Sequence, residues 1–181
     1  MRILISACLL GARCRYDGVS KLQPWISDLA ERHILVPVCP EQLGGLPTPR
    51  PPAERRGDRV MTRDGGDVTA QYRRGAEEAL RLCRLLGCEA ALLKERSPSC
   101  GSGMVYDGTF TGVRTAGEGV TAAARPGHSG VRRVPGGGVG GPHLNRPDSH
   151  GRRSARRTGR RRSFPPRHGL QPGENVVDSK P

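Results

Sequence analysis

The sequence has few aromatic residues and no long apolar run. Aromatic residues make up 3% of the 181 positions, and hydrophobic residues make up 34%. No stretch approaches the roughly 20 apolar residues of a membrane-spanning helix. The apolar run at residues 3–5 is also too short to be the core of a secretion signal. These absences predict a cytoplasmic protein without a membrane partner.

Signatures of zinc and phosphate binding are also lacking. The sequence contains none of the local Cys-x-x-Cys pairs of zinc ribbons and no glycine-rich phosphate-binding motif. His33 is the only histidine among residues 1–123. A zinc site built from local motifs is therefore disfavoured.

Acidic and apolar residues are scarce after residue 123. Residues 124–181 carry twelve Arg and one Lys against three acidic residues, which gives +10 of the chain's net +13, and they include only ten hydrophobic residues. Such a segment buries too little apolar surface to offset the entropy lost on ordering. The sequence therefore predicts one folded domain over residues 1–123 and a disordered Arg/Gly/Pro-rich tail over residues 124–181. The charge of this tail would attract nucleic acid nonspecifically.

Apolar runs alternate with helical patterns over residues 1–123. Residues 3–5, 34–38 and 90–93 are predicted to be buried strands. Residues 22–32 and 67–86 carry apolar positions at helical spacing, and a hairpin is predicted around residues 106–108. This alternation predicts a Rossmann-like, three-layer α/β domain with a mainly parallel sheet.

Three cysteines follow the predicted strands. Cys8, Cys39 and Cys100 each come after a strand, and the carboxyl ends of parallel strands meet at one edge of a sheet. In a reducing compartment, clustered cysteines indicate a metal or catalytic site rather than disulfides. Three thiolates suit several soft metal centres, and they leave one corner of a cubane-type iron–sulfur cluster without a protein ligand. The alternative is three buried thiols that meet by chance, since free cysteine is commonly buried.

The other three cysteines fit this site less well. Cys83 lies on the apolar stripe of a predicted helix, and Cys88 lies at the entry end of a strand, so both are predicted to be buried in the core. Cys14 is on the correct edge, in a loop whose path the sequence does not fix. It is a candidate near-site residue.

Seven short motifs occur in order between residues 3 and 122. They are residues 6–11 (SACLLG), 14–18 (CRYDG), 39–45 (CPEQLGG), 49–54 (PRPPAE), 67–69 (DVT), 97–101 (SPSCG) and 106–110 (YDGTF). With these motifs the chain resembles the bacterial family catalogued as domain of unknown function 523, whose characterised members are thiouracil desulfidases. The resemblance ends near residue 123.

The resemblance implies a cofactor, a reaction and a set of site residues. It implies a 4Fe-4S cluster held by Cys8, Cys39 and Cys100, and removal of sulfur from a thiolated pyrimidine without net redox change, with release of hydrosulfide. The family's acidic and hydroxyl catalytic residues fall by motif on Glu41 and Ser97. The residue types suit this chemistry, because a soft iron polarises a C=S group. Glu41, two residues after Cys39, is placed to take and return a proton.

Other interpretations remain open. A non-catalytic iron–sulfur carrier or sensor needs the same cysteines but neither Glu41 nor Ser97. Glu41 also fits a solvated loop carboxylate, and Ser97 fits a turn residue. Arg50, in a proline-stiffened loop, is a candidate contact for a polar substrate. A nucleic-acid-binding function would depend on the tail, where Phe164 is the single aromatic residue available for base stacking.

The composition of the tail suggests how it arose. Arg outnumbers Lys 27 to 3 in the chain, which is typical of a GC-rich gene whose alternative frames stay open. Read one base later, the codons of residues 134–141 permit an acidic helix start. We hypothesise a frameshift near residue 123, which would remove the last elements of the domain and leave an inactive family member as a further alternative.

Overall fold

The fold is built on a parallel sheet. The computed structural model describes residues 1–124 and the backbone of residues 132–133, all within one unit, Met1–Asn145. In chain order, the elements of these residues are β1 (Arg2–Ser6), a 3-10 helical turn (Ala7–Leu10), α1 (Ile26–Arg32), β2 (Ile34–Val38), α2 (Pro40–Leu43), β3 (Ala53–Arg56), β4 (Arg59–Thr62), α3 (Thr69–Leu85), β5 (Ala90–Leu92), β6 (Met104–Tyr106), β7 (Arg114–Ala116), α4 (Val120–Ala123) and β8 (Arg132–Arg133).

β1 lies between β2 and β5 in the sheet, whose strand order is β2-β1-β5-β8. Ser6, at the end of β1, lies opposite Val38, at the end of β2, and Ile5 lies opposite Leu92, at the end of β5. The predicted parallel sheet is confirmed, and these three strands end at the same edge. Pro37 is in β2, on the outside of this strand order, where its missing N–H is tolerated.

Two apolar cores flank the sheet. Ile3 and Ile5 pack with Leu29 of α1 on one face, whereas Leu4 packs with Ala79 of α3 on the other face. This division follows from the alternation of side chains along a strand. The three-layer arrangement predicted from the sequence is therefore confirmed. Full burial of each such aliphatic side chain stabilises the fold by about 1.5–3 kcal/mol.

Two cysteines belong to the second of these cores. Cys83, on α3, and Cys88, before β5, are both buried there, as their positions in the sequence predict. Cys88 precedes β5 rather than following it, so it lies away from the carboxyl edge of the sheet. Cys83 packs in the same core as Cys88.

The segment between β2 and α3 is more ordered than the sequence predicts. The proline-rich stretch after Cys39 is expected to be a loop, but it contains α2 and the antiparallel hairpin β3–β4. Pro40 begins α2, a position where proline is favoured because its N–H is not needed. β3 has the sequence AERR, so no alternating apolar pattern marks it. α1 also begins at Ile26, later than the predicted residue 22. The hairpin predicted around residues 106–108 is confirmed as β6–β7.

Part of the predicted tail pairs with the sheet. Arg132 and Arg133 pair in parallel with Ala90 and Ala91 of β5. The disorder predicted for residues 125–131 and 134–181 falls outside the described residues. Among those that are described, no helix combines the length and apolar character needed to cross a membrane.

Glycines allow α2 and α3 to touch. A Cβ atom added at Gly75 of α3 would lie 1.8 Å from the carbonyl oxygen of Pro40 and 3.1 Å from the backbone nitrogen of Gly44. Pro40 directly follows Cys39, so this contact also fixes the position of the chain at the end of β2.

We predict that Gly75→Ala destabilises the domain, although alanine is the better helix former. The added methyl group must displace α2, and overpacking of this kind costs about 1–3 kcal/mol. The measurement is the free energy of unfolding in urea. Glu77→Ala, at an exposed position of the same helix, is the control and should change stability by no more than about 0.5 kcal/mol. Equal stability of Gly75→Ala and the parent would contradict the close contact.

Candidate active site

A cavity of about 580 Å³ lies at the carboxyl edge of the parallel sheet. All five residues predicted for the site contribute to its wall, namely Cys8, Cys39, Cys100, Glu41 and Ser97. The topology therefore brings together side chains that are up to 92 positions apart in the chain. Their individual roles remain predictions.

Three different local structures present the predicted cysteines. Cys8 is in the 3-10 turn after β1, and Cys39 is the residue before α2. Cys100 lies well beyond the end of β5, in a turn organised by Ser97, whose Oγ accepts the backbone N–H groups of Ser99 and Cys100 at 3.1 Å each. Cys8 and Cys39 lie at the carboxyl edge because each comes soon after the end of its strand. Cys100 is farther from the end of β5 and is brought to the cavity by this turn.

Cys14 is a fourth thiol in the cavity wall. It is buried, and its carbonyl oxygen lies 3.6 Å from the Sγ atom of Cys39. The neighbouring Cys39 contributes to the raised pKa of Cys14. The sequence marked Cys14 as a candidate near-site residue, and the structure places it beside Cys39.

The donor set suits a multi-iron cluster better than a single metal ion. Among the described residues, no three His, Cys, Asp or Glu side chains converge closely enough to hold one ion. Cysteine thiolates are the usual ligands of iron–sulfur clusters, and a cubane cluster has its irons at separate corners, so its ligands need not converge on one point. His33 precedes β2, at the opposite edge of the sheet, and does not add to this set. The thiol chemistry of Cys8, Cys39 and Cys100 suits the ligands of such a cluster.

Burial makes three thiols of the cavity, those of Cys8, Cys14 and Cys100, weaker acids by raising their pKa. Burial is the main cause that raises the pKa of Cys14 and of Cys100 to about 12 each. For Cys8, burial and the neighbouring Cys39 raise the pKa, and the positive charge of Lys94 opposes this rise. Since the thiolate is the form that binds metal, loading of the site must release protons.

Glu41 is held by an arginine. It lies in the first turn of α2, and its Oε2 accepts hydrogen bonds from Nε and Nη2 of Arg50 at 2.8 and 2.5 Å. Arg50 also donates to the carbonyl oxygens of Pro47 and Cys14 and to the hydroxyl of Thr48. Arg50, a candidate substrate contact from the sequence, lines the cavity and is a partner of Glu41, with 5% of its side chain exposed.

The second carboxylate oxygen of Glu41 faces Ser97. The Ser97 hydroxyl donates to Oε1 of Glu41 at 3.4 Å. Because the Ser97 oxygen already accepts two backbone N–H groups, its hydrogen is the part left to donate. Charge-assisted contacts therefore orient the carboxylate on both sides, with Arg50 on one oxygen and Ser97 on the other.

Sequence reasoning missed several residues of the cavity wall. Tyr72 is 2% exposed, and it lines the cavity. Burial and the negative charge of the nearby Glu41 raise the pKa of Tyr72, and the Arg50 charge opposes the rise. Tyr72 precedes Ala76 by one helical turn, so extending the apolar stripe of α3 towards its start would have found it. Phe110 and Lys94 also line the cavity, without a local pattern that marks them.

The fold and the cavity define the class of the protein. It is a three-layer α/β protein whose parallel sheet carries a thiol-rich site, with a carboxylate and a hydroxyl, at its carboxyl edge. Residues 3–128 match the 2-thiouracil desulfurase family. The chain belongs to this family, and the resemblance seen in the sequence motifs is confirmed.

Two relatives extend the comparison. A solved structure, the 4Fe-4S-dependent thiouracil desulfidase TudS, shares 56% sequence identity and superposes with a TM-score of 0.62, covering 67% of this chain and 82% of that chain. The uncharacterised protein YbbK of Bacillus subtilis strain 168 is 44% identical over 131 residues, which is 67% of this chain and 87% of YbbK. The similarity to the solved structure includes the parallel-sheet fold.

We predict that the reduced, iron-free protein loses stability as the pH rises above about 9. Cys14 and Cys100 ionise near 9.0 when unfolded but near 12 when folded, so the folded protein keeps protons that the unfolded chain loses. Their contribution to stability is complete below pH 9.0 and disappears between 9.0 and 12. The slope is up to about 1.4 kcal/mol per pH unit for each group. Urea unfolding at a series of pH values measures it.

The variant Cys14→Ala tests the source of this slope. Removing one of the two groups should make the alkaline decline shallower by about that group's share. A decline that this substitution leaves unchanged, or stability that increases with pH in this range, would contradict the assignment.

Proposed function

We propose that this chain replaces the sulfur of a thiolated pyrimidine, such as thiouracil, with oxygen from water at an iron–sulfur cluster. The observation that carries the proposal is the single cavity wall in which Cys8, Cys39 and Cys100 accompany Glu41 and Ser97. The family to which the chain belongs supports the substrate class. The 4Fe-4S dependence of the 56% identical TudS supports the cofactor.

Cys8, Cys39 and Cys100 are the proposed ligands of a 4Fe-4S cluster. With three protein thiolates, one iron lacks a protein ligand, and the bound cluster supplies a Lewis acid that polarises the C=S bond. In the overall reaction water provides the oxygen of the product and sulfur leaves as hydrosulfide with a proton. No electrons are gained or lost.

Glu41 is the proposed general base and acid. Both N–H donors of Arg50 bind its Oε2, so Oε1 is the oxygen that takes the proton of the attacking water. The same oxygen returns this proton to the departing sulfur. Arg50 is fixed by its own bonds to Pro47 and Thr48, and it holds the carboxylate in one orientation throughout.

Ser97 is the proposed orienting hydroxyl. Its oxygen is bound by the backbone of the Cys100 turn, and its hydrogen points to Glu41. It therefore couples the carboxylate to the loop that presents a cluster ligand. Its loss is expected to disturb both the orientation of Glu41 and the turn.

The proposal includes a reducing compartment, the cytoplasm. All six cysteines are free thiols, and such thiols persist where disulfides are reduced. The domain limits, residues 1–123 for the desulfidase-like domain and residues 124–181 for the tail, also stand as proposals. So does nonspecific attraction of nucleic acid by the tail.

We predict that cluster loading depends on three particular cysteines. Anaerobic reconstitution should give about four irons per chain. Cys8→Ser, Cys39→Ser and Cys100→Ser should each lose most of this iron, because each removes a thiolate ligand. Iron content and visible absorbance are the measurements.

Cys83→Ser and Cys88→Ser are the matched controls, since both residues lie in the core and outside the cavity. They should retain the cluster. Equal loss of iron from all five variants would indicate unfolding rather than loss of ligands, and it would contradict the assignment.

We predict that Glu41→Gln keeps the cluster but loses turnover. The amide preserves the size of the side chain but cannot accept a proton, and general acid–base catalysis commonly contributes ~100-fold or more. Hydrosulfide release and uracil formation from thiouracil measure the rate, and the visible spectrum reports the cluster. Glu31→Gln, an exposed carboxylate on α1, makes the same chemical change away from the cavity and should be as active as the parent.

The parent chain decides the wider proposal. A parent with a full cluster and no turnover of any thiolated base would contradict the enzymatic function and favour a carrier or sensor. A Glu41→Gln variant as active as the parent would remove only the role assigned to Glu41.

A further inference from the structure

Aromatic side chains are concentrated at the cavity. The chain has six aromatic residues, and four of them line the cavity, namely Tyr16, Tyr72, Tyr106 and Phe110. Tyr72 is 2% exposed and lies near Glu41. The side chain of Phe110 has no polar group, so it contacts a ligand only through its aromatic ring.

The backbone of Phe110 is held in an unfavourable conformation. Its φ is +59°, in the left-handed region that bulky residues seldom adopt. Arg96 is the other non-glycine residue with positive φ in the described part of the chain, and it also lines the cavity. Strained backbone persists where surrounding contacts enforce it, and such positions cluster at binding and catalytic sites.

Hydrogen bonds to Glu54 hold the backbone of Phe110 in this conformation. Its Oε2 accepts the backbone N–H groups of Gly108 at 3.0 Å and Phe110 at 2.9 Å. Glu54 lies in β3 and is 8% exposed. Burying a carboxylate is unfavourable unless it is hydrogen-bonded, and here the hydrogen bonds go to the loop that carries Phe110.

A second set of contacts pins the same loop to β3. A Cβ atom added at Gly108, whose φ is +90°, would lie 2.5 Å from the carbonyl oxygen of Arg55. The Nε atom of Arg56 donates to the carbonyl oxygen of Gly108 at 2.7 Å. The loop between β6 and β7 is thus fixed in place before a ligand binds, which lowers the entropy lost on binding.

The ring of Phe110 already has a cation on one face. The guanidinium of Arg63 lies 5.8 Å from the ring centroid, within the range of a cation–π contact. Arg63 also lines the cavity, so this cation lies beside the ring at the site. Flat rings stack on an aromatic face in an offset arrangement.

We propose that Phe110 is the stacking wall of the cavity, against which the flat ring of the substrate lies, and that Glu54 is its positioning residue. The inference rests on the proposed function, because a thiolated pyrimidine has such a ring. Stacking fixes the plane of the ring and leaves its edge, with the C=S group, to face the thiols and Glu41. Phe110 thereby selects conjugated rings over saturated rings that carry the same thiocarbonyl group.

The test compares Phe110→Leu, which removes the flat face but keeps an apolar side chain, with Phe110→Tyr, which keeps the face. Phe110→Leu should raise KM for thiouracil about tenfold, in the range of base–aromatic stacking, while kcat, iron content and melting temperature stay close to those of the parent. Phe110→Tyr should keep a KM closer to that of the parent than Phe110→Leu does, because it retains the flat face. The parent should prefer thiouracil over dihydrothiouracil, whose ring is puckered, and Phe110→Leu should lose most of this preference.

Two further variants separate stacking from folding. Val113→Ala changes an exposed residue of the same loop and should leave KM unaltered. Glu54→Gln should raise KM less than Phe110→Leu does, because its amide oxygen still accepts the two N–H groups, and it should keep the preference for thiouracil. An unchanged KM in Phe110→Leu, or equal losses for thiouracil and dihydrothiouracil, would overturn the stacking wall.

Binding of uracil, measured by calorimetry, distinguishes this inference from the proposed function. A parent that binds uracil but releases no hydrosulfide from thiouracil contradicts the proposed function, and weaker uracil binding by Phe110→Leu would still support the wall. A parent that binds neither uracil nor thiouracil overturns the wall.

Discussion

The buried hydroxyl of Ser6 joins the parts of the chain that form the cavity. Ser6 is the last residue of β1 and is 2% exposed. Its Oγ accepts the N–H of Lys94, just after β5, at 2.9 Å, and it opposes the rise that burial causes in the pKa of Cys100. Parallel pairing places Ser6 opposite Val38, the residue before Cys39. The register of the sheet and this hydroxyl together hold the ends of β1, β2 and β5 at one edge of the sheet. The loops that carry the cavity thiols start from this edge.

The carboxylates that line the cavity differ in what binds them. Glu95 accepts N–H groups from residues 102–104, and although burial raises its pKa, these bonds outweigh burial and lower it. Glu54 is likewise bound by backbone N–H groups. Glu41 is bound instead by the side chains of Arg50 and Ser97, so side chains rather than backbone groups fix its orientation.

The sequence predicted the parts of the fold that depend on local patterns. Short apolar runs marked β1, β2 and β5, and the carboxyl-edge rule brought Cys8 and Cys39 together. The hold of Glu54 on Phe110 joins segments that are 56 residues apart. The pairing of Glu41 with Arg50, nine residues later, follows no helical or strand period either. Glu41 and Ser97 were found through family motifs, because a lone Glu or Ser in a loop has no pattern of its own.

The core of the domain is separate from its proposed cluster site. The two apolar clusters contain Cys83 and Cys88 but none of the four thiols of the cavity wall. Small zinc domains, by contrast, fold only when their metal is bound. Here Ile3, Ile5 and Leu4 supply buried apolar contacts without a metal, and burial raises the pKa of Cys14 and Cys100, which keeps both thiols protonated at neutral pH. The apolar clusters therefore stabilise the domain independently of the proposed cluster, whose loading must release thiol protons.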